Sequence, residues 1–153
     1  MFNLFRKQPN ALVKHEFKNL LISLPSNWKY LMEEGDQQAC FDPKSQSTLR
    51  INIIELIPPD SEPGDKGITL LTGGQAYTTT LKGCLLTNPV NNDYIDGGNH
   101  ITLITWRLAN VSAEKKVLAI LTYTVLSEEK DSVQERGILD LIGNSLSNAE
   151  LTL

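Results

Sequence analysis

The chain has 153 residues, 41% of them hydrophobic and 21% charged, with a formal net charge of -4. That length suits one domain, and so ordinary a composition excludes a disordered or fibrous chain. The acidic balance lacks the positive field with which proteins bind a phosphate backbone, so nucleic acid is not an expected partner.

At the start, Met1-Phe2-Asn3-Leu4-Phe5-Arg6-Lys7 places apolar residues before its positive charges, the reverse of a secretory signal. No stretch approaches the ~20 apolar residues of a membrane helix, because Val117 to Leu126 is interrupted by Thr122 and Thr124. These features predict a cytoplasmic protein without a transmembrane segment, made of an N-terminal segment over 1–14 and a single domain over 15–153.

Strand formers run from Phe17 to Leu24, where Pro25, which has no N–H to donate, is expected to end the strand. Trp28 comes after a turn built from Pro25, Ser26 and Asn27. A second strand is predicted over Gln37 to Phe41, stopped by Asp42-Pro43, and a third over Thr48 to Ile57, stopped by Pro58-Pro59. Three strands in this order predict an antiparallel meander.

The polar connector from Pro59 to Asp65 leads into a helix-length stretch, Lys66 to Lys82, interrupted by Gly73-Gly74. Two adjacent glycines cost a helix about 2 kcal/mol relative to alanines. They mean either close packing against the sheet or a helix that bends or breaks there. Asn91-Asn92-Asp93 and Asp96-Gly97-Gly98-Asn99 read as turns, since Asn and Gly accept positive φ. They frame a strand from His100 to Leu108, and after a polar loop over Val111 to Lys115 another strand runs from Lys116 to Leu126. Ser132 and Glu135 match the capping box S-x-x-E at the start of a final helix, whose inward face carries Ile138, Ile142, Leu146 and Ala149.

If the two long strands pair as a hairpin, one register sorts their side chains cleanly. It sets Ile104, Trp106 and Leu108 beside Val117, Ala119, Leu121 and Tyr123 as an apolar face for helices to cover. The other face then carries Leu103, Thr105 and Arg107 beside Leu118, Ile120, Thr122 and Thr124, with Arg50 and Asn52 of the earlier strand continuing it. An antiparallel sheet tolerates such asymmetry when one face is packed and the other is partly open. Arg50, Asn52, Thr105, Arg107, Thr122 and Thr124 are therefore the candidate binding residues. The ordinary alternative is that Thr is simply a good strand former and Arg107 reaches past the sheet rim.

Little else carries chemistry. Cys40 and Cys84 have no CxxC partner, and in a reducing compartment they read as small buried hydrophobes rather than a disulfide. His15 and His100 lack a nucleophile or acid in any recognisable arrangement. Thr72-Gly73-Gly74-Gln75 lacks the GK[ST] ending of a phosphate loop. The acidic clusters Glu33-Glu34-Asp36, Asp93-Asp96 and Glu128-Glu129-Asp131 miss EF-hand spacing and read as solvated loops. No cofactor or metal is expected.

The order of Leu24-Pro25-Ser26-Asn27-Trp28, Phe41-Asp42-Pro43, a loop and helix, a long hairpin, and a last helix containing Ile142-Gly143-Asn144-Ser145-Leu146 resembles the PsbP/Mog-like fold, which includes bacterial DcrB-like domains. The resemblance covers roughly residues 15 to 150. It implies an α+β protein in which an antiparallel β-sheet is flanked by helices, an α/β/α sandwich, with Trp28 as a structural anchor. It also implies use as a binding or assembly module, as in a photosystem extrinsic subunit, a nuclear-transport GTPase partner and chaperones for type VI effectors. No ion-binding or GTPase-contact residues of those members carry over.

Two functions are expected on these grounds. The first is a non-enzymatic cytoplasmic protein-binding module, an adaptor, chaperone or immunity-type protein acting as a monomer or homodimer, whose partner is another protein. The second is a small-molecule-binding protein or hydrolase with a site near His100, assembled with Asp96 and Arg107.

Overall fold

The two long strands expected from the sequence form the centre of the molecule. A computed structural model describes residues 11–56, 64–112 and 115–153, with side chains described from residue 68 onward in the second segment. Strand β9 (Asn99–Val111) pairs antiparallel with β10 (Lys116–Leu126), setting Tyr123 opposite Ile104, Leu121 opposite Trp106 and Ala119 opposite Leu108. This is the register predicted by alternation, and Ile104, Trp106, Leu108, Val117, Ala119, Leu121 and Tyr123 are all buried together. A slip of one residue would turn that apolar set toward solvent.

Around this pair lies an eight-stranded sheet. On one side of β10 come β5 (Thr48–Leu56), β4 (Gln37–Phe41) and β3 (Lys29–Glu33), and on the far side of β9 come β7 (Leu85–Thr87) and β6 (Tyr77–Thr79). Strand β8 (Val90–Asp96) also pairs with β9, joined to it by Gly97 and Gly98, both at positive φ. The sequence correctly marks that last turn. Asn91-Asn92-Asp93, expected as a turn, instead lies within β8, where β9 supplies a partner strand for each residue.

Other departures lie near the N-terminus. The single strand expected from Phe17 is a hairpin, β1 (Leu12–Phe17) and β2 (Leu20–Pro25), turned at Lys18, whose φ is 51°. Strand β2 runs one residue beyond Leu24, because Pro25 pairs with Leu12 of β1; its carbonyl then accepts from the Trp28 N–H at 3.1 Å in the turn that follows. With β11 (Glu150–Leu151), β1 and β2 make a separate three-stranded sheet. The meander therefore consists of β3, β4 and β5 and excludes the first predicted strand. Strand β3 escapes recognition in the sequence because Lys29 to Glu33 is mostly exposed and shows no strict alternation.

Helix α1 (Gly64–Thr72) is half as long as Lys66 to Lys82 suggests. It stops at Gly73-Gly74, both at positive φ, with the Gly74 N–H donating to the Thr69 carbonyl. Helix α2 (Val133–Ser147) begins where expected, and the Ser132 side chain accepts from the Glu135 N–H at 3.2 Å. The reciprocal half of the capping box is absent: the Ser132 N–H donates to the Glu129 carbonyl, while the Glu135 carboxylate turns inward.

Ile142 and Leu146 of α2, together with Leu20, Ile22 and Leu24 of the small sheet, join the apolar face of the large sheet in one core. Trp28, the expected anchor, is buried there at 7% exposure, whereas Phe41 is only half-buried. Among the described residues, the other face is covered at one end, where Leu71 of α1 meets Ala109 and Leu118. The antiparallel sheet and the mixed α+β class are as expected. No described helix is long and apolar enough to cross a membrane. The predicted stop at Ile57 and Pro58-Pro59 and most of the connector to Asp65 lie outside the described residues, as do residues 1–10 and part of the Val111–Lys115 loop.

Candidate functional site

The strand pairings bring the predicted binding residues onto one face. Thr122 sits between Arg50 of β5 and Thr105 of β9, and the next position of β10 on that face, Ile120, sits between Asn52 and Arg107. Thr124 lies on the same face of β10, since alternate residues of a strand share a face. Each of these side chains is half-buried.

The face divides into two polar groups, with Thr122 and Ile120 between them. In the first, Arg50 donates from Nε to Glu33 Oε1 at 2.9 Å and from Nη1 to Thr124 Oγ1 at 3.4 Å. Gln37 donates to the same Glu33 oxygen at 2.7 Å, and Asn52 donates to Gln37 Oε1 at 2.7 Å. Hydrogen bonds from Arg50 and then Gln37 hold the Glu33 carboxyl below its ordinary range, so it stays ionised. Three of the predicted residues, Arg50, Asn52 and Thr124, are thus tied into a network that spans β3, β4, β5 and β10. Glu33 and Gln37 are members that sequence reasoning missed, because their contact depends on the unrecognised hairpin turned at Gly35 and Asp36.

The second group surrounds Arg107. Its backbone N–H donates to Thr87 Oγ1 at 2.9 Å, and its guanidinium reaches the Leu71 carbonyl at 3.4 Å, near the C-terminus of α1. Gly73 lies against the guanidinium: a Cβ there would sit 3.2 Å from Arg107 Nε. Glycine thus both ends the helix and admits the cation beneath it, so the two sequence readings of Gly73-Gly74 both hold at this position. Thr105 and Arg107, with Gln75, Thr87 and Asn92, border a cavity of about 140 Å³. Gln75, Thr87 and Asn92 are functional candidates that the sequence does not single out. Asn92 reads as part of a turn, and no local pattern relates Thr87 to Arg107.

The alternative constellation does not assemble. His100 pairs with Ile95 and Asp96 with Asn99, whereas Arg107 lies seven residues farther along β9, roughly 23 Å away at ~3.3 Å per residue. Seven is odd, so Arg107 also points to the opposite face from His100. His15, the other histidine, stacks on Tyr30 with ring centroids 3.7 Å apart and shares a hydrogen bond with Gln38. The acidic clusters are only partly free: Asp93 accepts from Thr102 at 2.6 Å and Asp36 lies 3.7 Å from Lys18. Cys40 and Cys84 are buried and free. Cys40 stands on β4 and Cys84 immediately before β7, four strands away, or roughly 19 Å at ~4.8 Å per strand, too far to bridge.

No family model matches the sequence, and no curated protein sequence matches it. Similarity lies in the structure. LpqN of Mycobacterium tuberculosis, involved in cell envelope biogenesis, is similar with a TM-score of 0.58 and 14% identity over 94% of this chain and 90% of that one. The Ran-binding protein Mog1p of Saccharomyces cerevisiae is similar with a TM-score of 0.54 and 10% identity, over 93% of this chain and 96% of that one.

The chain has the PsbP/Mog-like fold. At these identities the likeness concerns the fold alone. Within this PsbP/Mog-like sheet, the polar groups around Glu33 and around Arg107 are therefore read from this chain's own residues.

Proposed function

We propose that this chain is a non-enzymatic, cytoplasmic protein-binding module, an adaptor, chaperone or immunity-type protein acting as a monomer or homodimer. Its sheet is the middle layer of an α/β/α arrangement whose α1 layer stops short, and the uncovered part of that face receives the partner. The observation that carries this reading is the gathering of Arg50, Asn52, Thr105, Arg107, Thr122 and Thr124 on the half-covered face. Half-buried Thr and Ile side chains among fixed polar groups give a surface that is both apolar and directional, as protein interfaces are. The Ran-binding protein Mog1p gives the same fold a protein partner, which supports the reading. A net charge of -4 argues against a nucleic-acid partner.

The test begins with affinity capture from native lysate and identification by mass spectrometry, and then measures binding of the purified candidate. Thr122→Arg, in the middle of the face, should abolish that binding, while Gln134→Arg, on the exposed side of α2, should leave it unchanged. Loss of binding in both variants or in neither would reject this face as the interface.

A further inference from the structure

Among the described residues, Arg107 stands without an acidic partner. The ion pairs there join Lys18 to Asp36, Arg50 to Glu33, Lys82 to Glu150 and Lys115 to Glu55. A guanidinium carries five N–H donors, and the bond this group makes reaches Leu71 O at 3.4 Å, near the limit of a hydrogen bond. Arg50, by contrast, is already neutralised by Glu33 on the same face. The two arginines differ in consequence: Arg50 organises the sheet, while Arg107 keeps charge and donors available.

The surroundings of Arg107 suit an anion. Gln75 and Asn92 bring amide groups and Thr105 a hydroxyl to the same cavity, and no carboxylate lines it among the described residues. The carbonyl end of α1 favours a cation and holds the guanidinium beneath Gly73, limiting the freedom it would lose on binding. Size narrows the ligand further. A cavity of about 140 Å³ is well below the ~300 Å³ at which pockets begin to enclose a whole drug-sized molecule. It holds the volume of only four or five waters at ~30 Å³ each, which is enough for a carboxylate and a short methylene stem.

We infer that this cavity receives the side-chain carboxylate of an Asp or Glu from the partner protein, with Arg107 as its counter-charge and Gln75, Asn92 and Thr105 as neutral donors. The inference rests on the protein-binding reading and specifies how the partner is recognised. An arriving side chain brings its backbone onto the neighbouring half-buried Ile120 and Leu103, a contact that a free small acid does not make.

Amide NMR titration of the full chain tests this with N-acetylglutamate α-amide, N-acetylglutamine α-amide and free succinate as probes. The glutamate probe should give saturable shifts at Gly73, Gln75, Thr105 and Arg107, and the glutamine probe none. Arg107→Gln should weaken the glutamate probe by about tenfold or more, as expected for loss of a charge-assisted hydrogen bond. Gln75→Ala, at an exposed residue, should weaken it less and serves if Arg107→Gln does not fold. Equal shifts with both amino-acid probes, or none with either, would overturn the inference. Succinate binding more tightly than the glutamate probe would assign the cavity to a free acid and overturn the partner assignment. A partner that binds the Arg107→Gln chain as tightly as the unmodified one removes this cavity and leaves the protein-binding reading standing. Thr122→Arg without effect on the partner removes that reading instead.

Discussion

The Tyr123 hydroxyl donates a hydrogen bond of 2.7 Å to the Glu135 carboxylate, tying β10 to the first turn of α2 inside the core. Ser47, ahead of β5, donates to the other carboxylate oxygen at 3.2 Å. Glu135 is only 5% exposed, so these bonds replace the water it has lost. Tyr123→Phe should therefore lower stability by about 1–2 kcal/mol, since it removes a bond to a charged group and leaves that group buried. Urea denaturation measures this, and an unchanged midpoint would mean that the bond contributes nothing net.

Burial pushes the Tyr123 phenol above its ordinary value, and the adjacent Glu135 carboxylate pushes it the same way against the Ser47 hydrogen bond. An unfolded tyrosine ionises near pH ~10, so above that pH the folded chain holds a proton that the unfolded chain has released. The corresponding stability is complete below pH ~10 and is lost as pH rises through the folded value. Tyr123→Phe should flatten the fall in stability above pH ~10, measured by denaturation at a series of alkaline pH values. An identical slope in the variant would contradict the assignment.

Burial also pushes the Cys40 thiol up to about 12 and raises that of Cys84. The thiolate is the reactive form, so both cysteines should resist a thiol reagent at pH 8 in the folded protein and react freely in urea. Fast labelling of the native chain would show that the strands carrying them open readily.

Trp28→Ala should cost about 3–5 kcal/mol, because the indole is packed in the main core and the cavity left behind closes only in part. That is a large share of an ordinary domain's stability of ~5–15 kcal/mol. The thermal and urea midpoints of the variant decide the matter, and an unchanged pair would overturn the packing role.

Gly73→Ala combines two costs: φ is +64°, and the new Cβ would press on Arg107 Nε at 3.2 Å. A left-handed conformation costs an L-residue about 1–2 kcal/mol. The variant should fold with that loss of stability and should also displace the guanidinium, weakening the glutamate probe. A stability loss with unaltered probe binding would separate helix termination from the site.

Local periodicity and turn chemistry were enough to specify the centre of the sheet from the residues alone. Alternation over residues 100–108 and 116–126 set the β9–β10 register, because a one-residue shift would reverse every side chain. Gly97-Gly98 marked the hairpin turn, and Ser132 marked the start of α2. The common face of Arg50, Asn52, Thr105, Arg107, Thr122 and Thr124 was legible for the same reason. Which of those residues neutralise one another depended on the folded chain. Arg50 meets Glu33 across two strand pairings, while Arg107 meets the end of α1, 36 residues away in sequence, and no acid among the described residues. Folding also turns Glu135 inward to Tyr123, so that it does not close its own helix cap. A local pattern specifies which face a side chain occupies, but its charge partner depends on strand order and helix placement, which are set by contacts between distant segments.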